Sequence, residues 1–142
     1  MENRFLCRGK RIDTGEWVEG FYCKWLKGKR VITYSEKETD CIITWMSNGG
    51  MSRYEVDPST ICQCTGLSDK NGKLIFENDI CDRKEEYPEI VKYNKGDWTL
   101  DYSYSKDKES GYCFCNLGFY VLERKCVEVI GNTFDNPELL EV

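Results

Sequence analysis

Residues 54–80, YEVDPSTICQCTGLSDKNGKLIFENDI, decide the fold. At the centre of this stretch, Ser68-Asp69-Lys70-Asn71-Gly72 lies between Leu67 and the apolar Leu74-Ile75-Phe76. Asn and Asp side chains bond to nearby backbone, and Asn-Gly reaches positive φ cheaply, so the run predicts a tight turn between strands. A second punctuation, Glu77-Asn78-Asp79, opens another strand at Ile80. Earlier in the stretch, Asp57-Pro58-Ser59-Thr60 pairs a capping residue with proline at the first helical position, which predicts a turn or so of helix. The stretch is dense in residues that shape backbone and empty of catalytic patterns.

The same punctuation recurs on both sides. Residues 5–12 alternate as a strand, Asp13-Thr14-Gly15 turns, and residues 16–26 resume with Trp17, Val18, Phe21, Tyr22 and Trp25. Lys27-Gly28-Lys29 is the next turn, residues 31–34 the next strand, and residues 41–46 a strand read as buried on both faces. Downstream, strands are expected at residues 89–93, 98–104, 112–121 and 126–130, with a solvated loop at 105–111 and a terminal helical turn at 136–140. Aromatic and β-branched runs between short glycine-containing turns argue for antiparallel meanders. Gly15-Glu16-Trp17-Val18 and Gly96-Asp97-Trp98-Thr99 resemble each other, but four residues do not make an internal repeat.

A resemblance covers most of the chain. Tyr54-Glu55-Val56-Asp57-Pro58, Thr65-Gly66-Leu67, Asp69-Lys70-Asn71-Gly72-Lys73 and Asp79-Ile80 resemble the core motif of the YopX protein family. Arg8-Gly9-Lys10-Arg11 with Gly15-Glu16-Trp17-Val18-Glu19-Gly20, and Gly131-Asn132 with Asp135-Asn136-Pro137-Glu138-Leu139-Leu140, match its flanks. Cys64 stands where the family usually has an aromatic, as at a packing position, and Asn78 where it usually has glycine. Asn is the next-best residue for a left-handed backbone, so that turn is expected to survive. The resemblance implies a small, mostly β protein of bacteriophages and prophages, and brings no biochemical activity with it. With the strand density it implies two small barrel-like or meander units in one compact protein, residues 1–66 and 67–142, the second SH3-like in style.

Composition narrows the chemistry. At 142 residues with 40% hydrophobic content, the chain suffices for one packed domain or two small subdomains. No apolar run reaches the roughly 18 residues of a membrane span, and the start of the chain lacks the apolar stretch of a signal peptide, so a cytoplasmic location in the bacterial host is expected. The nine cysteines are then read as free thiols, several of them small buried hydrophobes such as Cys23, Cys41 and Cys113. With no histidine, the commonest general base is missing. Asp57 with Asp79 is the nearest thing to a catalytic carboxylate pair, and aspartates in turns usually bind backbone instead. Gly49-Gly50 lacks the lysine and hydroxyl of a phosphate loop. Neither an enzyme nor a bound cofactor is expected.

Three binding modes remain. Cys62-Gln63-Cys64 and Cys113-Phe114-Cys115 could each present two thiolates on one strand face, but zinc ribbons use wider spacing on glycine-rich knuckles, so no metal is expected. Residues 1–33 carry eight Lys/Arg against four Asp/Glu, while the remainder carries twelve against twenty-one. Arg8, Lys10 and Arg11, interleaved with Trp17, Tyr22 and Trp25, therefore form a basic aromatic ribbon suited to single-stranded nucleic acid. The same residue types are enriched in protein interfaces. A protein-interaction or self-association role is the leading expectation, nucleic-acid binding the alternative, and a zinc-stabilised fold the weakest. Asp57, Thr65, Gly66, Leu67, Asp69, Asn71, Gly72 and Asp79 are expected to set turn geometry.

Overall fold

Residues 3–27, 37–105 and 114–141 are described in a computed structural model of the chain. They form two antiparallel sheets, of six and five strands, joined by short turns. The chain divides into two compact units, an N-terminal unit of Phe5–Gln63 and a C-terminal unit of Cys64–Val142 with Met1–Arg4. Gly28 and Lys29 of the expected turn at 27–29, the strand at residues 31–34, most of the loop at 105–111 and Cys113 lie outside the described residues.

In the N-terminal unit, β1 (Cys7–Lys10), β2 (Trp17–Lys27), β3 (Lys37–Trp45) and β4 (Met51–Glu55) make a meander. The next strand, β5 (Cys62–Ser68), returns to the far side of β1, so Cys7 faces Gly20 on one side and Gln63 on the other. Gly20 is required by packing: a Cβ there would stand 2.2 Å from the carbonyl oxygen of Ile43. Past the end of β1, Ile12 N–H donates to Glu55 O at 3.0 Å and Asp57 N–H donates to Lys10 O at 2.9 Å, around an Arg11↔Val56 bridge. The predicted cap is present: Asp57 Oδ1 accepts from Ser59 N–H at 3.0 Å and opens the 3-10 turn Pro58–Thr60.

The second half of β5 pairs with β6 (Leu74–Phe76) in the C-terminal unit, across Cys64↔Phe76 and Ser68↔Leu74. A second meander follows, β7 (Asp79–Asp82), β8 (Glu89–Asn94), β9 (Asp97–Asp101) and β10 (Phe114–Asn116), and β11 (Glu128–Asn132) returns beside β7. Both units thus follow one order, with the first strand of the meander between its second and its fifth. In both, a helical turn precedes the fifth strand: the 3-10 turn Pro58–Thr60, and a π-helical turn at Phe119–Glu123. The likeness of Gly15-Glu16-Trp17-Val18 to Gly96-Asp97-Trp98-Thr99 is unrelated to this repeat, because the first leads into β2, second in its order, and the other into β9, third in its order. Neither sheet closes into a barrel among the described residues; β10 and β11 occupy opposite ends of their sheet.

Two local expectations are corrected. Residues 117–121 are not strand: Asn116 Oδ1 accepts from Phe119 N–H at 2.8 Å and starts the π-helical turn, leaving Leu117 to fill the core. Residues 41–46 are not buried throughout, because Cys41 and Ile42 are interior while Trp45 and Met46 are 66% and 49% exposed. A buried apolar cluster in the C-terminal unit joins Ile75, Cys81, Val91, Leu100, Leu117 and Val127.

Candidate interaction surface

The β2–β3–β4 meander of the N-terminal unit carries an apolar face. Successive side chains on a strand alternate between faces, so Phe21 and Trp25 on β2, Ile43 and Trp45 on β3, and Met51 and Arg53 on β4 share one face. Ladder register joins them, with Phe21↔Ile43↔Arg53 in one row and Trp45↔Met51 in the next. Trp25, Trp45 and Met51 are 44%, 66% and 60% exposed. The Arg53 guanidinium lies 4.1 Å from the centroid of the Trp25 ring, which ties the outer strand to β2. Met46, just past β3, is held to the other face by Ser52, whose hydroxyl donates to its sulfur at 3.0 Å.

The outer edge of β4 adds backbone groups to that face. Met46 N–H donates to Gly50 O and Val56 N–H to Asp40 O, so even-numbered residues of β3 exchange bonds with β4. The N–H and C=O groups of Met51, Arg53 and Glu55 therefore face away from β3. The Glu55 carbonyl accepts from Ile12, which leaves Met51–Arg53 as a short edge. Beside it is a depression of about 330 Å³ lined by Arg11, Ile12, Asp13, Arg53, Tyr54 and Glu55.

The basic ribbon read from the sequence is distributed differently. Arg8 is buried, with its guanidinium 4.6 Å from the Trp17 ring centroid, and Lys10 Nζ stands 5.4 Å from the same ring. Arg11 forms an ion pair with Asp13 at 2.7 Å and lies over Tyr54 at 4.4 Å. Lys24 and Glu38 pair across β2 and β3 at 3.5 Å. Tyr22 is on the opposite face from Trp25, and its hydroxyl donates to Asp40 Oδ1 at 2.6 Å. That hydrogen bond, with burial adding to it, pushes the Tyr22 phenol up to about 12. Trp17 is half-buried, so of the three aromatics named from sequence only Trp25 belongs to the exposed apolar face. Sheet formation also brings carboxylates to the ribbon: counted over the whole N-terminal unit, the net charge is +1, against −6 for the C-terminal unit.

The family-motif residues point into the backbone. Thr65 Oγ1 donates to Ile75 O at 2.8 Å and accepts from Leu67 N–H at 3.1 Å. Gly66 has φ +81°, and a Cβ there would press on Arg4 at 3.2 Å. Asp69 is buried, with Oδ1 accepting from Asn71 and Lys73 N–H and Oδ2 accepting from Val129 N–H at 2.9 Å. Burial alone would raise this carboxyl, but the N–H groups of Val129, Lys73 and Asn71 outweigh it and hold it below the usual range. Gly72 takes φ +83°, and Asn78 adopts the left-handed conformation at φ 66°. Asp79 Oδ2 accepts from Phe76 N–H at 2.8 Å. Asp57 and Asp79 each serve the backbone of their own turn.

Sequence reading missed Trp45, Met46, Met51 and Arg53, and it also missed a buried ion pair in the C-terminal unit. There Arg83 Nε binds Glu89, Nη1 binds Glu85 at 3.0 Å, Nη2 lies 3.4 Å from Cys115 Sγ, and the guanidinium covers the Tyr120 ring at 4.1 Å. Burial raises Glu89, partly offset by Arg83, and burial likewise raises the Cys115 thiol above its ordinary value. Cys62 and Cys64 are fully buried on β5 and Cys115 is half-buried, while Cys113 lies outside the described residues. Among the described residues, no three side chains of metal-binding type gather, and no helix is long and apolar enough to cross a membrane.

Comparison with known proteins agrees with the motif. The family model described as YopX protein matches residues 13–141, nearly the whole chain, and the chain belongs to that family. No curated protein matches it.

Proposed function

We propose that this member of the YopX family is a non-enzymatic accessory protein of a phage or prophage, acting in the host cytoplasm by protein contact through the apolar face of its N-terminal unit. One observation carries the reading: Trp25, Trp45 and Met51 stand exposed on one sheet face around Arg53, beside a short strand edge. Trp, Met and Arg concentrate in interface centres, and an exposed edge can accept a partner strand. The turn residues of the family motif are committed to backbone, which leaves them no evident part in chemistry. Each unit sets the first strand of its meander between the second and the fifth, with a helical turn before the fifth. That order supports reading the C-terminal unit as SH3-like in style and as a scaffold for binding.

The test is comparative capture from a host lysate. Wild type and the Trp45→Ser/Met51→Ser double variant are immobilised side by side, with thermal unfolding as the folding control. A protein retained by wild type and lost by the folded variant is the expected result. Equal retention by both, or none by either together with a strictly monomeric wild type in light scattering, overturns the reading.

Nucleic-acid binding is the less supported alternative, because Arg11 and Lys24 already have carboxylate partners and Arg8 is buried. Phosphate binding would appear as single-strand affinity that falls steeply with salt and weakens when Arg8, Lys10 and Arg11 become Ala. A zinc-stabilised fold has less support still, because Cys62 and Cys64 are small packed side chains on one strand.

A further inference from the structure

Two of the eight described cysteines stand directly opposite each other. Cys23 on β2 and Cys41 on β3 are ladder partners, and both are free thiols. No other cysteine faces a cysteine in the described ladders. Directly opposed side chains share a sheet face, so the two sulfurs lie on the same side. Because even-numbered residues of β3 bond to β4, Cys41 bonds to β2 and exchanges both backbone hydrogen bonds with Cys23. Such a pair has Cα atoms about 5.5 Å apart, within reach of a disulfide. Its Cβ atoms, however, are about 5.5 Å apart where a relaxed disulfide needs about 3.8 Å. A bond formed there pulls the strands together and is reduced more easily than a structural disulfide.

We propose that Cys23 and Cys41 are a reversible redox pair, closing to a cross-strand disulfide under hydroperoxide and reopening in the presence of a dithiol. The half-buried Cys23 meets the oxidant first, since Cys41 is only 1% exposed. Its thiolate attacks one oxygen of hydrogen peroxide; an S–O bond forms, the O–O bond breaks and hydroxide leaves. The Cys41 thiolate then attacks the Cys23 sulfur; the S–S bond forms, the S–O bond breaks and a second hydroxide leaves. The two protons given up by the thiols convert both hydroxides to water, and two electrons pass from sulfur to peroxide. A dithiol reverses the bond by two successive thiolate attacks, becoming a cyclic disulfide itself.

Charged groups facing the pair come from β4, Arg53 beside the Cys23 row and Glu55 opposite Cys41. Burial, then the Cys41 thiol, raises Cys23 above its ordinary value, with Arg53 opposing them. Oxidation therefore speeds up as pH rises toward the raised thiol pKa and the thiolate fraction grows. Phe21 and Trp25 flank Cys23 at two-residue spacing on the same face, so closure moves neighbours of the apolar surface. The pair does not depend on that surface binding anything, and its chemistry is read out without a partner.

The experiment treats the reduced full-length protein with hydrogen peroxide, blocks remaining thiols under denaturing conditions and maps peptides without reduction. The expected product links the Cys23 and Cys41 peptides with loss of two hydrogens, and dithiothreitol restores both. Cys23→Ser leaves Cys41 fully alkylated. Cys41→Ser leaves Cys23 as a sulfenic acid that a 1,3-diketone traps. The mapping on wild type needs no variant, so poor folding of Cys41→Ser does not shelter the idea. Unlinked Cys23 and Cys41 at peroxide levels that oxidise other cysteines, or links from either to a third cysteine, overturn it.

Discussion

The two units share a strand order but differ in how much of their apolar content they bury: the C-terminal unit exposes Tyr93, Phe119, Leu122 and Ile130 but still closes a core cluster. In the C-terminal unit, Val91, Leu100, Leu117 and Val127 converge with Ile75 and Cys81 in a closed cluster, and Asp69 binds the turn at Asn71-Gly72 to β11. Among the described residues of the N-terminal unit, Cys41, Ile42, Val56 and Cys62 are the buried apolar side chains, while Trp25, Trp45, Met46 and Met51 are exposed. Strand order alone therefore does not assign a role. Where large apolar side chains are interior they hold the unit together, and where they are exposed they are available to a partner.

The difference is tested most severely in the C-terminal cluster. Leu100→Ala is expected to cost about 3–4 kcal/mol in urea unfolding, because Leu100 is fully buried and the cavity has little room to collapse. Asp69→Ala removes an acceptor from three backbone N–H groups and is expected to cost about 3 kcal/mol. A loss under about 1 kcal/mol would mean that water replaces the carboxylate, and the clamp would be incidental. Asp69 also gives the contrast a pH signature. Its folded pKa is depressed, so its contribution is complete above the unfolded value near 3.9 and disappears as pH falls through the folded one. Asp69→Asn should accordingly flatten the acid limb of the stability curve.

Smaller effects are expected in the N-terminal unit. Asp40→Asn should return the Tyr22 phenol from about 12 toward its ordinary value, read by absorbance titration. Tyr22→Phe should cost about 1 kcal/mol at most, since the hydrogen bond is partly solvated. Trp45→Ser should change stability least, within about 0.5 kcal/mol, because its ring is mostly in water. A large loss at Trp45 would erase the difference between the two units.

What was legible from sequence was local. The cap at Asp57, the Asn71-Gly72 turn and the left-handed Asn78 follow from side chains acting on their own backbone. Pairing order was not legible, since nothing in Glu128–Asn132 declares that it lies beside Asp79–Asp82. For the same reason Asp69 was recognised as a turn residue but not as the partner of Val129, 60 residues away. The apolar face was missed because residues 41–46 read as one buried run, and only register separates Ile42 from Trp45. Alternation of Met51 and Arg53 on β4 was the available signal, but it pairs with Trp25 only once the meander is built.

The position of β11 has a consequence for synthesis on the ribosome. β7 is paired with β8 as soon as the latter emerges, but its other edge waits for β11, which is made well after β8. Until then the unpaired edge of β7 lies open to any neighbouring nascent chain. A chain stopped before Glu128 would therefore be more prone to aggregate than to settle into a smaller fold, and slow codons between β8 and β11 would lengthen that exposure.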